Sequence, residues 1–251
     1  MTGRSYRWLA VVSPLGFLAT WEVLSRTGVA DPRFFPPPSV IIRTLIMMTQ
    51  SGELPYHIGI SVRRIIIGFV LGAAPAIVLG LAMGLARPVR ALLMPIASAI
   101  YPIPKIAIYP LIIFYLGIGE ASKVSMVALS IFFLVLLNAM AGVLGLDRAY
   151  FNIARAYGAG PLDVFTTVAL PGALPQIFTG LKLGMGFALI VIVSAELLGS
   201  DAGIGFLIWR SYQIFAVDAM FVGLLVTAIL GWLATISLDG MERLALPWRP
   251  P

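Results

Sequence analysis

Long apolar runs constrain this chain more than any other feature. A helix needs roughly 20 mostly apolar residues to cross about 30 Å of hydrocarbon. Six stretches meet that requirement, at about residues 7–25, 61–86, 91–117, 122–145, 172–198 and 217–238. The 251 residues are 60% hydrophobic and 11% charged, whereas a soluble domain averages about a quarter charged residues. The expected fold class is therefore all-α, a polytopic membrane protein with six transmembrane helices. Cysteine is absent, which excludes a disulfide framework and a thiolate metal site. The formal charge of +6 fits basic residues that flank spans and face lipid headgroups, with no call for nucleic acid. Arg4 and Arg7 precede the first run. Bulky Trp21 and Glu22 stand where a signal peptidase would want small residues, so this run reads as an uncleaved span.

The segment between the first two runs differs in kind. Pro36 to Pro38 form a stiff extended turn. From Ser39 to Gln50, apolar Val40, Ile41, Leu45, Ile46 and Met48 surround Arg43 in a piece too short to cross. Residues 1–60 thus read as a first transmembrane helix plus an extracytoplasmic amphipathic helix lying on the membrane surface. Residues 61–251 read as a five-helix core. With the N-terminus inside, Arg4, Arg7, Arg87, Arg90, Arg148, Arg155, Arg243 and Arg249 fall on the cytoplasmic side. Arg26, Arg33, Arg43 and Arg210 fall outside, and Arg63, Arg64 and Lys123 sit at span edges. That bias places both termini in the cytoplasm.

Two spans carry packing signals. Gly68, Gly72, Ala76, Gly80 and Gly84 recur every four residues in the second span. They share one helix face, along which another backbone can approach closely. The fifth span repeats the device at Gly180, Gly184 and Ala188. Pro75 predicts a local kink. The third span contains Pro95, Pro102, Pro104 and Pro110, which predicts a bent or interrupted helix. Irregular backbone at membrane depth is tolerated only against protein or a water-filled cavity, so this span is expected to line a route.

An ionisable residue inside a span is costly and by default functional. Lys105 lies about midway along the third span, with Pro104 and Tyr109 beside it. Its ammonium either draws a small anion along the path or bonds to carbonyls freed by the prolines. Lys182, in the fifth span, reads as a backbone cap or a structural pair. Glu196, near the outer end of that span, is expected to form a gate contact or a buried pair with a base such as Arg210. His57 is the only histidine, reads as a surface residue of an outer loop, and cannot make a metal site alone. No catalytic or metal-binding set is apparent. Gly117 to Lys123 (GIGEASK) lacks the second glycine directly before the lysine, and no strand precedes it, so it is not a phosphate-binding loop.

Ala149 to Pro175 is the longest piece of the second half that a bilayer could not hide. Tyr150, Ile153, Ala154 and Tyr157 recur at helical spacing, predicting a short amphipathic helix over 149–157. Gly158 ends it, and Gly160–Pro161 opens a second short helix. Gly158, nine residues, then Val168-Ala169-Leu170-Pro171 resembles the EAA signature of ATP-binding-cassette (ABC) importer permeases. The positions that name the motif are Asn152, Ile153 and Ala154 here, and only the last matches. The following ALPGALPQIFTGLKLGMGFALIVIVSAELLG, the Gly203-Ile204-Gly205 run and Pro104-Lys105-Ile106-Ala107 resemble the branch importing sulfonates, taurine, nitrate and bicarbonate.

The resemblance implies a type I ABC importer (MetI-like) permease fold in a bacterial cytoplasmic (inner) membrane. It implies a homodimer, two separate ATPase subunits that hold the ATP and Mg, and an extracytoplasmic solute-binding protein. The chain itself would hold no cofactor. Cytoplasmic coupling helices at about 149–170 would dock the ATPases through Tyr150, Asn152, Ile153, Ala154, Arg155, Tyr157, Gly158 and Pro171. A path would pass Pro104, Lys105, Tyr109 and Glu196. A sulfonate such as taurine is the first substrate expected, ahead of nitrate or bicarbonate, an aromatic carboxylate or a pyrimidine precursor. The rival class is an ion-coupled secondary transporter, which calls for titratable or oxygen-rich sites at mid-membrane and often inverted repeats.

Overall fold

A computed structural model describes residues 9–248. Arg4, Arg7 and Arg249, counted above as cytoplasmic, lie outside the described residues. The described chain is helical from end to end: α1 (Leu9–Arg26), α2 (Pro38–Gln50), α3 (Glu53–Leu85), α4 (Arg87–Ile100), α5 (Lys105–Leu116) and α6 (Glu120–Leu144). There follow α7 (Arg148–Ala156), α8 (Pro161–Val164), a π-helical turn (Phe165–Ala169), α9 (Leu170–Gly199), α10 (Ile204–Gln213) and α11 (Val217–Ala245). No strand occurs among the described residues.

Among the described residues four helical units are long and apolar enough to cross a membrane: α3, α6, the continuous run Pro161–Gly199, and α11. Counting α4 and α5 as one broken span makes a fifth. Helix α1, 18 residues long, is not among them. The break between α4 and α5 is a 98° bend. Pro102 and Pro104 in the connection have no amide hydrogen to give, so the α4 ladder cannot continue through it.

The centre of the bundle is α6 sandwiched between α3 and α9. Gly72 and Gly80 on α3 lie so close to α6 that a Cβ on either would stand 2.4 Å from the Ala128 carbonyl oxygen or 2.5 Å from that of Leu136. Ala76, between them on the same face, is fully buried. Gly180 on α9 abuts α6 in the same manner, with Asn138 Cβ 2.7 Å from where its own Cβ would be. Around this contact Val127, Ile131, Val135, Leu136 and Ile192 form the largest apolar core. Small residues thus bring backbones together while branched side chains interlock beside them.

Helix α3 begins at Glu53, eight residues before its apolar run. The extra turns carry His57, and Ser61, Arg63 and Arg64 follow at the head of the run; all stay helical because partners on other elements satisfy them. Helix α2 also packs more deeply than a helix resting on lipid. Its Ile41 joins Leu54, Ile204, Leu207, Val222 and Val226 in a second core. Thr44 on the same helix donates to Asp218 of α11 at 2.8 Å. Residues 38–60 are therefore part of the same packed body as the helices that follow.

Candidate functional site: elbow, polar node and broken span

The elbow. Asp147 caps α7 by accepting from the Ala149 amide at 2.9 Å. At the other end Gly158 takes φ +80°. Its amide donates to the Arg155 carbonyl and that of Ala159 to Ala154, at 2.9 and 3.0 Å. This pair of bonds is the glycine-terminated helix end in which a left-handed residue reverses the chain. No α7 residue is buried. Phe151 and Ala154 lean toward the body, where Phe151 packs on the Leu81, Ala139, Val143, Ala173 and Ile177 cluster. Tyr150, Ile153 and Tyr157 face away and are 59%, 55% and 90% exposed. Asn152 and Arg155 are exposed beside them.

The second arm of the elbow differs from expectation. It is not a separate short helix, because α8 runs through the π-turn into α9 without a break, giving 39 helical residues from Pro161 to Gly199. Gly160 donates to Asp163 Oδ2 at 3.0 Å and starts this run. Pro171 therefore lies inside a helix. The π-turn widens the ladder just before it, with the Leu170 amide reaching back to the Phe165 carbonyl. That widening accommodates a residue that can neither donate nor tolerate a tight preceding turn.

The polar node. At the opposite end of the bundle, Arg64 and Glu196 form a buried ion pair at 2.8 Å, with side chains 1% and 0% exposed. Glu196 also accepts from Ser61 Oγ and the Gly205 amide, each at 2.9 Å. Arg64 donates to the Ala202 carbonyl at 2.7 Å and makes a short pair with Glu120 of α6. Ser61 accepts from the Ile204 amide at 2.9 Å, and His57 Nδ1 accepts from the Gly203 amide at 3.1 Å. Two amides at the start of α10 thus face a carboxylate and a hydroxyl, where the helix end favours negative charge. The backbone must come very close for this: Gly203 has φ +115°, and a Cβ there would lie 2.3 Å from the Glu196 carboxyl carbon.

This geometry corrects two expectations. The base that pairs with Glu196 is Arg64; Arg210 pairs instead with Glu53 at 3.2 Å. Glu196 itself is sealed within the protein, its side chain 0% exposed. His57 is buried and ties α3 to the loop before α10, so it is not a surface residue. Sequence reading missed Ser61 and Glu120 and gave Arg64 only a place at a span edge. The available signal was Arg63-Arg64 at the head of an apolar helix with two carboxylates elsewhere to meet them.

The broken span. Lys105 is the first residue of α5, and its ammonium donates to the carbonyls of Ile100, Tyr101 and Ile103 at 2.9, 3.0 and 2.9 Å. It also sits 5.2 Å from the centre of the Phe133 ring. Pro104 and Lys105 line a cavity of about 390 Å³ between the break, α6 and α9. Tyr109, also expected on the path, is 1% exposed. It packs with Met126, Val191 and Ala195 in a small core of its own. Lys182 bridges Asp239 and Glu242 of α11, the latter at 2.5 Å, and so staples α9 to the last turns of α11. Among the described residues no group of three or more His, Cys, Asp or Glu could hold a metal ion.

The sequence profile of the binding-protein-dependent transport system inner membrane component matches residues 76–248. The chain belongs to that family. Full-length relatives agree with it. SsuC of Bacillus subtilis (strain 168), named for aliphatic sulfonate transport, is 33% identical over 98% of this chain and 90% of its own length. The taurine transport system permease TauC of Escherichia coli (strain K12) is 33% identical over 92% and 86%. A chain of the MetNI methionine ABC transporter, solved in inward-facing conformations, superposes with a TM-score of 0.66 at 17% identity, covering 75% of this chain and 94% of that one. The fold is thus the MetI-like permease fold. This permease is a multi-pass component of the inner membrane, and ATP hydrolysis belongs to a separate subunit of such importers.

Proposed function

We propose that this permease works as a pair, with two ATPase subunits docked on the α7 elbow and a solute-binding protein delivering an aliphatic sulfonate, taurine first, at the opposite end. The elbow lies in the cytoplasm in this reading, and both termini lie on the same side. One observation carries it: α7 and its C-terminal cap hold Tyr150, Ile153 and Tyr157 outward on a helix of which no residue is buried, at the head of a continuous helix into the bundle. An apolar stripe raised clear of its own body suits a socket on a soluble partner. ATP would close the ATPase pair, the elbows would follow, and the bundles would rock to open the path outward. The full-length relatives named for sulfonate and taurine transport support the substrate assignment.

The test is uptake into proteoliposomes containing the permease co-purified with its ATPase and supplied with its binding protein. ATP-dependent accumulation of taurine or a short alkanesulfonate is the expected result. Gly158→Asp should leave the protein in the membrane while uncoupling ATP hydrolysis from uptake. Unchanged uptake in that variant would remove α7 from the coupling role, and uptake driven by an ion gradient without ATP would overturn the whole reading.

A further inference from the structure

Charged side chains on the helices long or apolar enough to span a membrane differ here in whether a carboxylate neutralises them. Arg64 has Glu120 and Glu196, and Lys182 has Asp239 and Glu242. Among the described residues Lys105 has no carboxylate within ion-pair distance, and its three hydrogen bonds go to neutral carbonyls at the end of α4 and in the connection after it. It therefore brings an uncompensated positive charge into the apolar part of the protein. That charge borders a cavity of about 390 Å³, within the range that holds a small ligand. Two serines, Ser130 of α6 and Ser194 of α9, also line this cavity. Each is presently bonded to the carbonyl four residues before it, Met126 at 2.7 Å and Ile190 at 2.8 Å. A serine hydroxyl leaves such a bond by one χ1 rotation. Phe133, Phe187 and Val191 make the remaining wall apolar.

We propose that Lys105, with Ser130 and Ser194, forms a transient site for the anionic head of the transported solute, while the apolar wall takes its short alkyl part. This deepens the function proposed above and rests on it. The three carbonyls hold the ammonium when the site is empty. An arriving sulfonate oxygen exchanges one neutral contact for a charge-assisted one, which is roughly twice as strong. The exchange also supplies the missing negative charge. Because a set of carbonyls waits to take the ammonium back, the anion is held weakly enough to leave, as a passage requires.

Two substitutions separate charge from capping. Lys105→Gln keeps hydrogen-bond donors for the carbonyls and removes the charge, whereas Lys105→Arg keeps the charge. Both are made in the complete transporter, and proteoliposome uptake of taurine and methanesulfonate is measured together with ATPase activity stimulated by the binding protein. Lys105→Gln should lower uptake at limiting solute about tenfold or more, the scale of one charge-assisted hydrogen bond. Its ATPase activity and assembly should persist, and Lys105→Arg should retain most uptake. Wild-type uptake by Lys105→Gln, or equal losses in both variants with assembly intact, overturns the site. A second measurement reads the site without turnover: methanesulfonate should raise the melting temperature of the purified wild-type complex and not that of Lys105→Gln. Equal shifts in the two overturn the proposal. If the wild type carries neither sulfonate yet methanesulfonate still stabilises it through Lys105, the substrate assignment fails while the site stands.

Discussion

Arg64 and Glu196, 132 positions apart in sequence, meet at 2.8 Å with both side chains removed from solvent. A buried pair of this kind is costly to assemble and far more costly to leave half-made. It also joins elements that apolar packing alone would leave adjustable: the head of α3, the foot of α9, the start of α6 through Glu120, and the loop entering α10. Specific polar partners fix how these elements are aligned, where apolar faces would allow them to slide.

Removing one member should therefore be worse than removing both. Glu196→Ala leaves Arg64 buried without its inner partner, an expected loss of about 3–5 kcal/mol. The double variant Arg64→Met/Glu196→Met should recover part of it. Thermal unfolding of the purified permease in nanodiscs, single variants against the double, measures the difference.

At the start of α10 two positions have no room for side chains, Gly203 just before the helix and Gly205 in its first turn. A Cβ at Gly203 would collide with the Glu196 carboxylate, and one at Gly205 would stand 2.2 Å from the Val193 carbonyl oxygen. Gly205→Ala should destabilise by about 1–3 kcal/mol, the scale of overpacking, and Gly203→Ala by more because its φ of +115° is also unfavourable. Gly199→Ala, whose nearest neighbour would be 3.7 Å away, should be close to neutral in the same melting assay.

Along α3 the glycines divide in the same way. Gly72→Ala or Gly80→Ala forces α3 off α6 and should cost about 1–3 kcal/mol. Gly59→Ala meets nothing within 4 Å and should stabilise the helix by about 0.5–1 kcal/mol. If all three variants melt together, the close approach of α3 and α6 contributes nothing particular.

At the elbow the constraint is conformational, not steric. Gly158 has open space around it and φ +80°, so Gly158→Ala should cost about 1–2 kcal/mol, confined to the end of α7. Amide hydrogen exchange should quicken at 154–159 while the global melting temperature stays put.

Lys182 is partly exposed, and so are its partners. Lys182→Met should cost on the order of 1 kcal/mol and loosen the end of α11, seen as earlier proteolysis after Leu238. Lys182→Arg should behave as wild type.

Much of this architecture was legible because it is local. The four-residue glycine period, the proline cluster of the broken span and the glycine that ends α7 each act within a turn or two of themselves. What stayed hidden depends on partners distant in the chain. Hydropathy starts the second span near 61, because Glu53 and His57 look like residues of a solvent-facing loop until Arg210 and the Gly203 amide that bind them are known. Arg210 was a natural partner for Glu196 by proximity in sequence, and only the fold brings Arg64 nearer. Pro161 and Pro171 suggested helix boundaries. The π-turn between them removed the second by giving the proline the room it needs. Lys105 was ambiguous for a different reason: capping carbonyls and attracting anions call for the same residue at the same place.

The unbroken helix from Pro161 to Gly199 has a mechanical consequence. At 1.5 Å per residue its 39 residues trace a helical axis of at most about 58 Å. A tilt of about 5° pivoted at one end would swing the other by about 5 Å on that length. One tip of this lever adjoins the exposed tyrosines, and the other lies just past Glu196. Leverage of that size lets a small push on the near side reach the far rim directly, with no intermediate relay of side-chain shifts.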